Sequence, residues 1–355
     1  MKNSLCFLLV FITPFISFSQ SNTEKEFETL RADYRILFYN VENLFDIKDD
    51  SLKNDAEFLP RGGKYWTWKK YQDKCFKISK VIMAAGGWEL PDIIGLCEIE
   101  NRTTLYGILN MSHLKKAAYE IIHRESPDHR GIDVALIYQP ERFTPIDTSY
   151  LQLIYPDATK STTREILYVK GKTHTEDTLH LFVNHWPSRW GGQLESEQKR
   201  MAAAQVLRNK LDTIFKRESK AKIIIMGDFN DYPNNKSISQ ILKARLPLAN
   251  FQEQELYNLA ALLEKRSTIA SHKYQGKWGM LDQFIISGAL MNANGILQCQ
   301  PKDMHLFAPN YLLESDESYM GKRPFRTYIG YKYHGGFSDH LPIYLDLWRR
   351  LDEAD

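Results

Sequence analysis

Apolar and polar residues follow two different rhythms along this chain. Short runs rich in β-branched and aromatic residues, bounded by Gly, Pro, Asn or Asp, predict strands at 34–40, 93–98, 119–124, 134–138, 166–169, 179–184, 223–227, 281–287 and 343–347. Between them the apolar spacing switches to that of a helix. The stretch "YQDKCFKISKVIMAA", 71–85, places Phe76, Val81 and Ile82 on one face, and a longer one, 194–215, repeats Met201, Val206, Leu207, Leu211 and Ile214. A third, 256–263, reads as a plain amphipathic helix. Strands this frequent do not make a strict βαβ repeat. They predict an α/β protein in which two packed sheets are covered by helices. No repeat and no long Pro/Gly/Ser linker interrupts the pattern, which predicts one domain over 31–351.

The first residues break the rhythm. Lys2 precedes an almost wholly apolar run, 5–18, and Ser17 and Ser19 stand at signal-peptidase spacing before the polar run 20–28. Residues 1–19 are therefore expected to be a cleaved secretory signal and 20–30 a flexible segment, with the mature chain secreted or periplasmic. The apolar run is short for a membrane span, and Cys6 lies inside it, not at the end where a lipid anchor would need it. No stable membrane anchor is expected. Composition adds little: 46 Lys and Arg against 44 Asp and Glu leave a formal charge of +2, so any affinity for a polyanion has to be local. Beyond the leader only Cys75, Cys97 and Cys299 remain, which is neither a disulfide framework nor a zinc site. Stability must come from a large core, and a monomer is expected.

The chemistry lies at the ends of the predicted strands. "RILFYNVENLFD" ends in Asn40 and Glu42, "DIIGLCEIEN" in Glu98 and Glu100, "TLHLFVNHWPS" in Asn184 and His185, and "KIIIMGDFNDYP" in Asp228, Asn230 and Asp231. "GGFSDHLPIYLDL" opens with Ser338, Asp339 and His340, and "GMLDQFIIS" puts Asp282 at a strand start. One such ending is adequately explained as a turn or cap. Six at one rim would repel each other and lose hydration unless a cation and a substrate compensate. A few hard oxygen ligands suit Mg²⁺, with Mn²⁺ as the alternative, and both pair with phosphate oxygens. A phosphate ester is the implied substrate.

These segments resemble the endonuclease/exonuclease/phosphatase superfamily, the DNase I-like metal-dependent phosphoesterases. The matching pieces are "NVENLFD", "LCEIEN", "RGIDVALIY", "VNHWPSR", "GDFND", "LDQFIIS" and "SDHLPI", which occur in family order over nearly the whole mature chain. The resemblance implies a four-layer α/β sandwich of two mainly antiparallel sheets flanked by helices. It implies Glu98 as principal metal ligand supported by Asn40, with Asp339 completing the metal or base network. Asp228 and Asn230 would hold the attacking water and the phosphate, and His340, oriented by Asp282, would be general base or phosphate clamp. His185 would contact the phosphate and assist departure of the leaving oxygen, and Arg189 would neutralise a second phosphate oxygen. Arg130 and Gly131 form the substrate-side turn, and Asn184 stands among the substrate-binding residues. In-line hydrolysis needs such groups, and imidazoles that titrate near neutrality serve proton transfer.

The implied activity is a secreted phosphodiesterase, an endonuclease acting on DNA or RNA without sequence preference. Small-molecule or lipid-headgroup esters are the alternative substrates, and a non-catalytic binding module is the alternative of another class. Against the last, every central acid and histidine is present. Asp133 either orients His185 or is an edge-strand charge. Trp66 and Trp68, among Arg61, Lys64, Lys69 and Lys70, either stack on bases or pack on the following helix, the second being favoured. The basic, aromatic stretch 319–336 is expected in the cleft wall.

Overall fold

The computed structural model describes residues 32–349, apart from 112, 156–159, 190 and 293–295. The expected leader 1–19, the segment 20–30 and Trp190 of "NHWPSRWGG" lie outside the described residues.

Walking along the chain, the first sheet opens with β1 (Tyr34–Leu44), β2 (Ile93–Ile99), β3 (Glu120–His123) and β4 (Asp133–Tyr138). Helices α1 (Trp68–Gly86) and α2 (Arg102–Asn110) fall between β1 and β3. The second sheet takes β5 (Phe143–Leu151), β6 (Ile166–Thr173), β7 (Thr178–His185), β8 (Lys222–Asp228), β9 (Ala244–Arg245) and β10 (Leu256–Asn258), with the long α3 (Gln193–Arg217) between β7 and β8. After α4 (Ala260–Arg266), a hairpin of β11 (His272–Tyr274) and β12 (Lys277–Gly279) leads into β13 (Asp282–Ser287), also in the second sheet. The chain then returns to the first sheet with β14 (Leu297–Gln298) and β15 (Met304–Leu306), makes two small hairpins, β16 (Leu313–Ser315) with β17 (Lys322–Pro324) and β18 (Tyr328–Ile329) with β19 (Lys332–Tyr333), and ends on β20 (Ile343–Arg349). Strand order is β14-β20-β1-β2-β4-β3 in one sheet, with β15 also on β20, and β5-β6-β7-β8-β13-β10-β9 in the other. Among these neighbours β1/β2, β7/β8 and β9/β10 run parallel and the rest antiparallel.

The alternation within each strand explains the layering. In β1, Tyr34, Ile36 and Phe38 face a core between the sheets, whereas Leu37, Tyr39 and Val41 face a second core beneath α1 and α2. In β8, Ile224 and Met226 join the central core and Ile223 and Ile225 face a third, closed by Ala203, Leu207, Leu211 and Ile214 of α3. A strand buried on both faces must be apolar throughout, which is why these strands read as continuous runs. Helix, sheet, sheet, helix: the four-layer α/β sandwich is present.

Three expectations need correction. The 256–263 stretch is not one helix: Leu256–Asn258 pair with β13 as a strand, and only Ala260–Arg266 are helical. Tertiary pairing overrides local periodicity there. On α1 the buried stripe is Tyr71, Lys74, Cys75, Ile78, Val81, Ile82 and Ala85, and Phe76 points outward, 53% exposed. Finally β5 and α2 lie in stretches where no element was expected.

The sheet pairing places the polar strand ends together. Because β1/β2 and β7/β8 are parallel, their carboxyl ends share one rim, with Asn40 opposite Cys97 and His185 opposite Asp228. Antiparallel β13 starts there, setting Asp282 opposite Asp228. Phe284, fully buried in the central core, is expected to cost about 3–5 kcal/mol on truncation to Ala. Urea unfolding of Phe284→Ala checks this, and a loss below 1 kcal/mol would contradict the central packing.

Candidate active site

Irregular backbone aims the acids inward. The β1/β2 register slips after Asn40, and Glu98, at φ 63°, sits in the irregularity between Cys97 and Ile99. A bulge of this kind turns a side chain out of the strand's alternation. Glu98 Oε2 accepts from the Asn43 backbone amide at 2.8 Å, and Oε1 accepts from Asn40 Nδ2 at 3.2 Å. The same Asn40 amide also donates to Asp228 Oδ2 at 3.1 Å, so one fully buried side chain ties the two sheets together. Asn230, at φ 51°, turns back on Asp228: its backbone amide donates to Oδ1 at 2.8 Å and its side-chain amide to the Trp186 carbonyl at 3.0 Å.

Two imidazoles flank that carboxylate. His340 Nε2 stands 3.8 Å from Asp228 Oδ2, and its Nδ1 lies 2.6 Å from Asp282 Oδ2. The carboxylate can only accept, which fixes the proton on Nδ1. Ser338 anchors this segment, donating from Oγ to the Asn40 carbonyl at 2.7 Å and accepting from His340 N at 3.1 Å. On the other flank His185 Nε2 is 3.7 Å from Glu98 Oε1 and 3.8 Å from Asp228 Oδ2. The structure thus brings Asn40, Glu98, His185, Asp228, Asn230, Asp282 and His340 into one cluster.

Burial decides the protonation states. It pushes the Asp228 carboxyl up to about 7, with Asp282 adding to the effect and His340 opposing it. Burial lowers both imidazoles, but the outcomes diverge. For His340 the Asp282 and Asp228 carboxylates overcome desolvation and hold it well above the usual histidine range. For His185 the charges of Arg164, Arg130 and His340 reinforce desolvation and hold it well below. The two histidines are therefore not a pair titrating near neutrality, as the sequence led us to expect. One is cationic and one neutral.

A second ring of charge backs the cluster. Burial opposes ionisation of Asp339, yet Arg326, His340, His272 and Lys74 hold its carboxyl at about 2. Arg326 donates to Asp339 at 2.9 Å and lies 3.4 Å from Glu42. Glu42 accepts from the Thr327 amide at 2.6 Å and faces the fully buried Lys74 at 3.9 Å. Burial brings that ammonium down to about 8 against the pull of Glu42. His272 packs against His340 with ring centroids 4.7 Å apart and is lowered to about 4 by burial and by His340. The sequence marked Glu42 only as a strand-end acid and Arg326 only as part of the 319–336 cleft-wall stretch, and gave nothing for Lys74, Arg164 or His272 by name. Of these three, only Lys74 carried a usable signal, a cation inside the apolar stripe of α1.

The remaining expected site residues sit differently. Asn184 is fully buried, with its amide donating to the Met226 carbonyl at 3.2 Å and its oxygen accepting from Trp186 Nε1 at 3.0 Å. It closes the β7/β8 strand ends and has no surface to offer a substrate, which corrects its expected role. Arg189 is committed to the Asn230 loop, donating to the carbonyl of Asn230 at 2.8 Å and to Asn235 at 2.9 Å while covering the Tyr232 ring. Arg130 is half-buried beside Asp128, and Gly131, at φ 77°, makes the turn into β4. Asp133 lies 3.3 Å from His123 and accepts from Ser126 N, so it does not orient His185. Trp66 packs in the core with its Nε1 bonded to the Phe45 carbonyl, whereas Trp68 is half-exposed against Tyr71.

The model of the Endonuclease/Exonuclease/phosphatase family matches residues 35–349. The chain belongs to this family. No curated protein matches it. Among solved structures, the catalytic domain of human Nocturnin with bound sulfate superposes with a TM-score of 0.52 at 17% identity, covering 89% of this chain and 94% of that one. D. rerio TDP2 complexed with a single-strand DNA product gives 0.52 at 16%, covering 88% and 98%. An endonuclease/exonuclease/phosphatase from Bacteroides vulgatus gives 0.53 at 13%, covering 90% and 100%. At such identities the likeness is one of fold.

Members of the endonuclease/exonuclease/phosphatase family are divalent-metal-dependent phosphoester hydrolases. The residues here fit a divalent cation. One carboxylate oxygen each of Asp228 and Asp282 and a ring nitrogen of His340 lie within 4.8 Å of one another, as do a carboxylate oxygen of Asp339 and ring nitrogens of His272 and His340. Two buried polar atoms in the cluster, Asp282 Oδ1 and His185 Nδ1, have no protein partner. Buried carboxylates facing one space have the chemistry of a hard-cation site.

The His340–Asp282 pair is open to direct measurement. A raised folded-state pKa stabilises the protein below pH 6.5, and that contribution is lost as pH rises through the folded value. In Asp282→Asn, burial is opposed only by Asp228 and Asp339, and the NMR titration midpoint of His340 should fall by about 1–3 pH units. An unchanged midpoint would contradict the assignment.

Proposed function

We propose that the protein is an exported, Mg²⁺-dependent phosphodiesterase that hydrolyses DNA or RNA. One observation carries the reading. A single carboxylate oxygen, Asp228 Oδ2, is faced by Asn40, His185 and His340 at 3.1, 3.8 and 3.8 Å, and Glu98 stands across Asn40.

Mg²⁺ held by Glu98 and Asn40, with Asp339 completing the oxygen set, would supply charge neutralisation at the non-bridging phosphate oxygens. The chain's own groups do the rest. Asp228, braced by the Asn230 amide, is poised near neutrality to accept the proton of an attacking water. His340, cationic and fixed by Asp282, donates to a phosphate oxygen and stabilises the charge that develops there. His185 stays neutral and donates through Nε2–H, because a proton on that nitrogen faces the Glu98 and Asp228 carboxylates. It positions the phosphate and is not the acid that releases the leaving oxygen: as that P–O bond breaks, the oxygen takes its proton from cationic His340, and the proton that Asp228 took from water, 3.8 Å away, restores it. Glu98 and Asp228 come from different sheets, so relative motion of the layers would disturb the alignment on which in-line attack depends.

Nucleic acid is favoured as substrate because the similarly folded D. rerio TDP2 was crystallised with single-strand DNA product. Export rests on the leader-like residues 1–19. Purified mature protein should nick plasmid DNA, degrade RNA and hydrolyse bis-p-nitrophenyl phosphate with Mg²⁺ and lose all three activities in EDTA. His340→Ala and Glu98→Ala should each lower kcat by at least ~100-fold with the fold retained by circular dichroism. Turnover in EDTA, or in both variants, would reject the mechanism. Hydrolysis of the chromogenic ester with intact plasmid and RNA would move the assignment to small phosphodiesters.

A further inference from the structure

Beside the cluster, on the His185 side, lies a half-enclosed cavity of about 520 Å³. Arg130, Arg164 and Lys199 line it together with Asp128, Thr163 and Tyr155, so three cations face one carboxylate. The cations come from three separate places: the turn before β4, the segment leading into β6, and the second turn of α3.

The three are held in different ways. Arg164 is buried. It spends one terminal nitrogen on Asp128 at 3.0 Å and the other on the Trp186 carbonyl at 2.9 Å, and its Nε has no partner. Arg130 approaches the same Asp128 only to 3.9 Å, which leaves that single carboxylate shared between two guanidiniums. Lys199 is exposed at the mouth, its ammonium 5.5 Å from the Tyr155 ring, and among the described residues it has no carboxylate partner. Cations lining one cavity repel one another, as Arg164 does Arg130, and burying Arg164 costs hydration that one acid does not restore. The arrangement calls for an anion.

The cavity is also joined to the cluster. The Trp186 carbonyl that accepts from Arg164 accepts from Asn230 as well, at 3.0 Å, so cavity wall and site wall share an atom. Pro187 and Ser188, next along the chain from His185, line the cavity. Its volume exceeds what one phosphate needs and lies in the range that holds a small organic ligand.

We propose that this cavity is a second-anion subsite. It binds a non-scissile phosphate carried on the sugar next to the scissile phosphate, with Arg130, Arg164 and Lys199 as its cations. The inference rests on the phosphodiesterase reading above and names its substrate class: esters that carry two phosphates on one sugar, over isolated diesters. A nucleotide chain supplies that second charge either as a terminal phosphate or as the next internal link.

Chromogenic esters separate these cases. Thymidine 5′-(p-nitrophenyl phosphate) carries no second phosphate, and its 3′-phosphorylated form does. Thymidine 3′-(p-nitrophenyl phosphate) with and without a 5′-phosphate tests the opposite polarity. A second phosphate is expected to raise kcat/KM by about ten- to a hundredfold in at least one polarity, as one charge-assisted contact allows. Lys199→Gln should remove most of that gain while leaving the mono-phosphate esters within about twofold, and Lys199→Arg should restore it. Capping the second phosphate as its methyl diester distinguishes the sources: a retained gain marks an internal link, a lost one a terminal phosphate. Calorimetry in EDTA supplies a readout without turnover. Thymidine 3′,5′-bisphosphate should bind at least tenfold tighter than the better of the 3′- and 5′-monophosphates, and Lys199→Gln should erase the difference. Equal binding of bis- and monophosphates by the wild-type protein, or a preference untouched by Lys199→Gln, would overturn the subsite. Failure to hydrolyse any ester with intact calorimetric preference would overturn the phosphodiesterase reading and leave the subsite standing.

Discussion

A carboxylate with nowhere to put its charge governs this structure. Asp228 is buried where the second sheet meets the first, and removal from water raises its pKa to about 7. Hydrogen bonds from Asn40 and Asn230 and the nearby imidazolium of His340 are what the protein offers in place of hydration. They do not fully compensate, and Glu98, Asp282 and Asp339 crowd the same space with further acid. Such an arrangement persists only because the surrounding sandwich is rigid enough to enforce it. Strain of this sort collects where a protein does chemistry.

The fold serves that constraint. Two parallel strand pairs, β1/β2 and β7/β8, deliver four polar strand ends to one rim, and β13 and the segment before β20 add Asp282 and His340 from the opposite direction. Cores on both faces of each sheet fix the height of these ends relative to one another. Asn40 then acts as the tie between sheets, bonded to Glu98 on its own sheet and to Asp228 on the other. Charge is divided around the centre. Asp339, Glu42, Arg326 and Lys74 form a nearly balanced network on the His340 side, whereas Arg130, Arg164 and Lys199 leave an excess of positive charge beyond His185.

Much of this was legible in the sequence. Strands buried on both faces write themselves as apolar runs, and acids at their ends stand out because nothing in a core explains them. That logic located every member of the central cluster. It went wrong where a residue's meaning depends on a distant partner. Asn184 looks like a ligand in "VNHWPS", but only the fold places a carbonyl and an indole against its amide. Lys74 shows only as a cation inside an apolar stripe, because its partners Thr327 and Phe337 lie far along the chain, and His272 gives no signal until the fold brings His340 against it. The 256–263 stretch has helical spacing, yet β13 and β9 of the second sheet claim its first residues from either side. The histidines' protonation states were misjudged for the same reason: both sit in polar motifs, and although the resemblance already set Asp282 beside His340, only the structure buries both rings and sets Arg164 behind His185.

If Asp228 keeps a proton until a cation replaces it, binding of the metal must release that proton. Titration calorimetry of Mg²⁺ into the metal-free protein at pH 6.5, in two buffers of different ionisation enthalpy, measures this directly. The expected result is release of about one proton per cation in the wild-type protein and almost none in Asp228→Asn. Proton-neutral binding by the wild type, or equal release by both, would show that the buried acid is not what the cation neutralises.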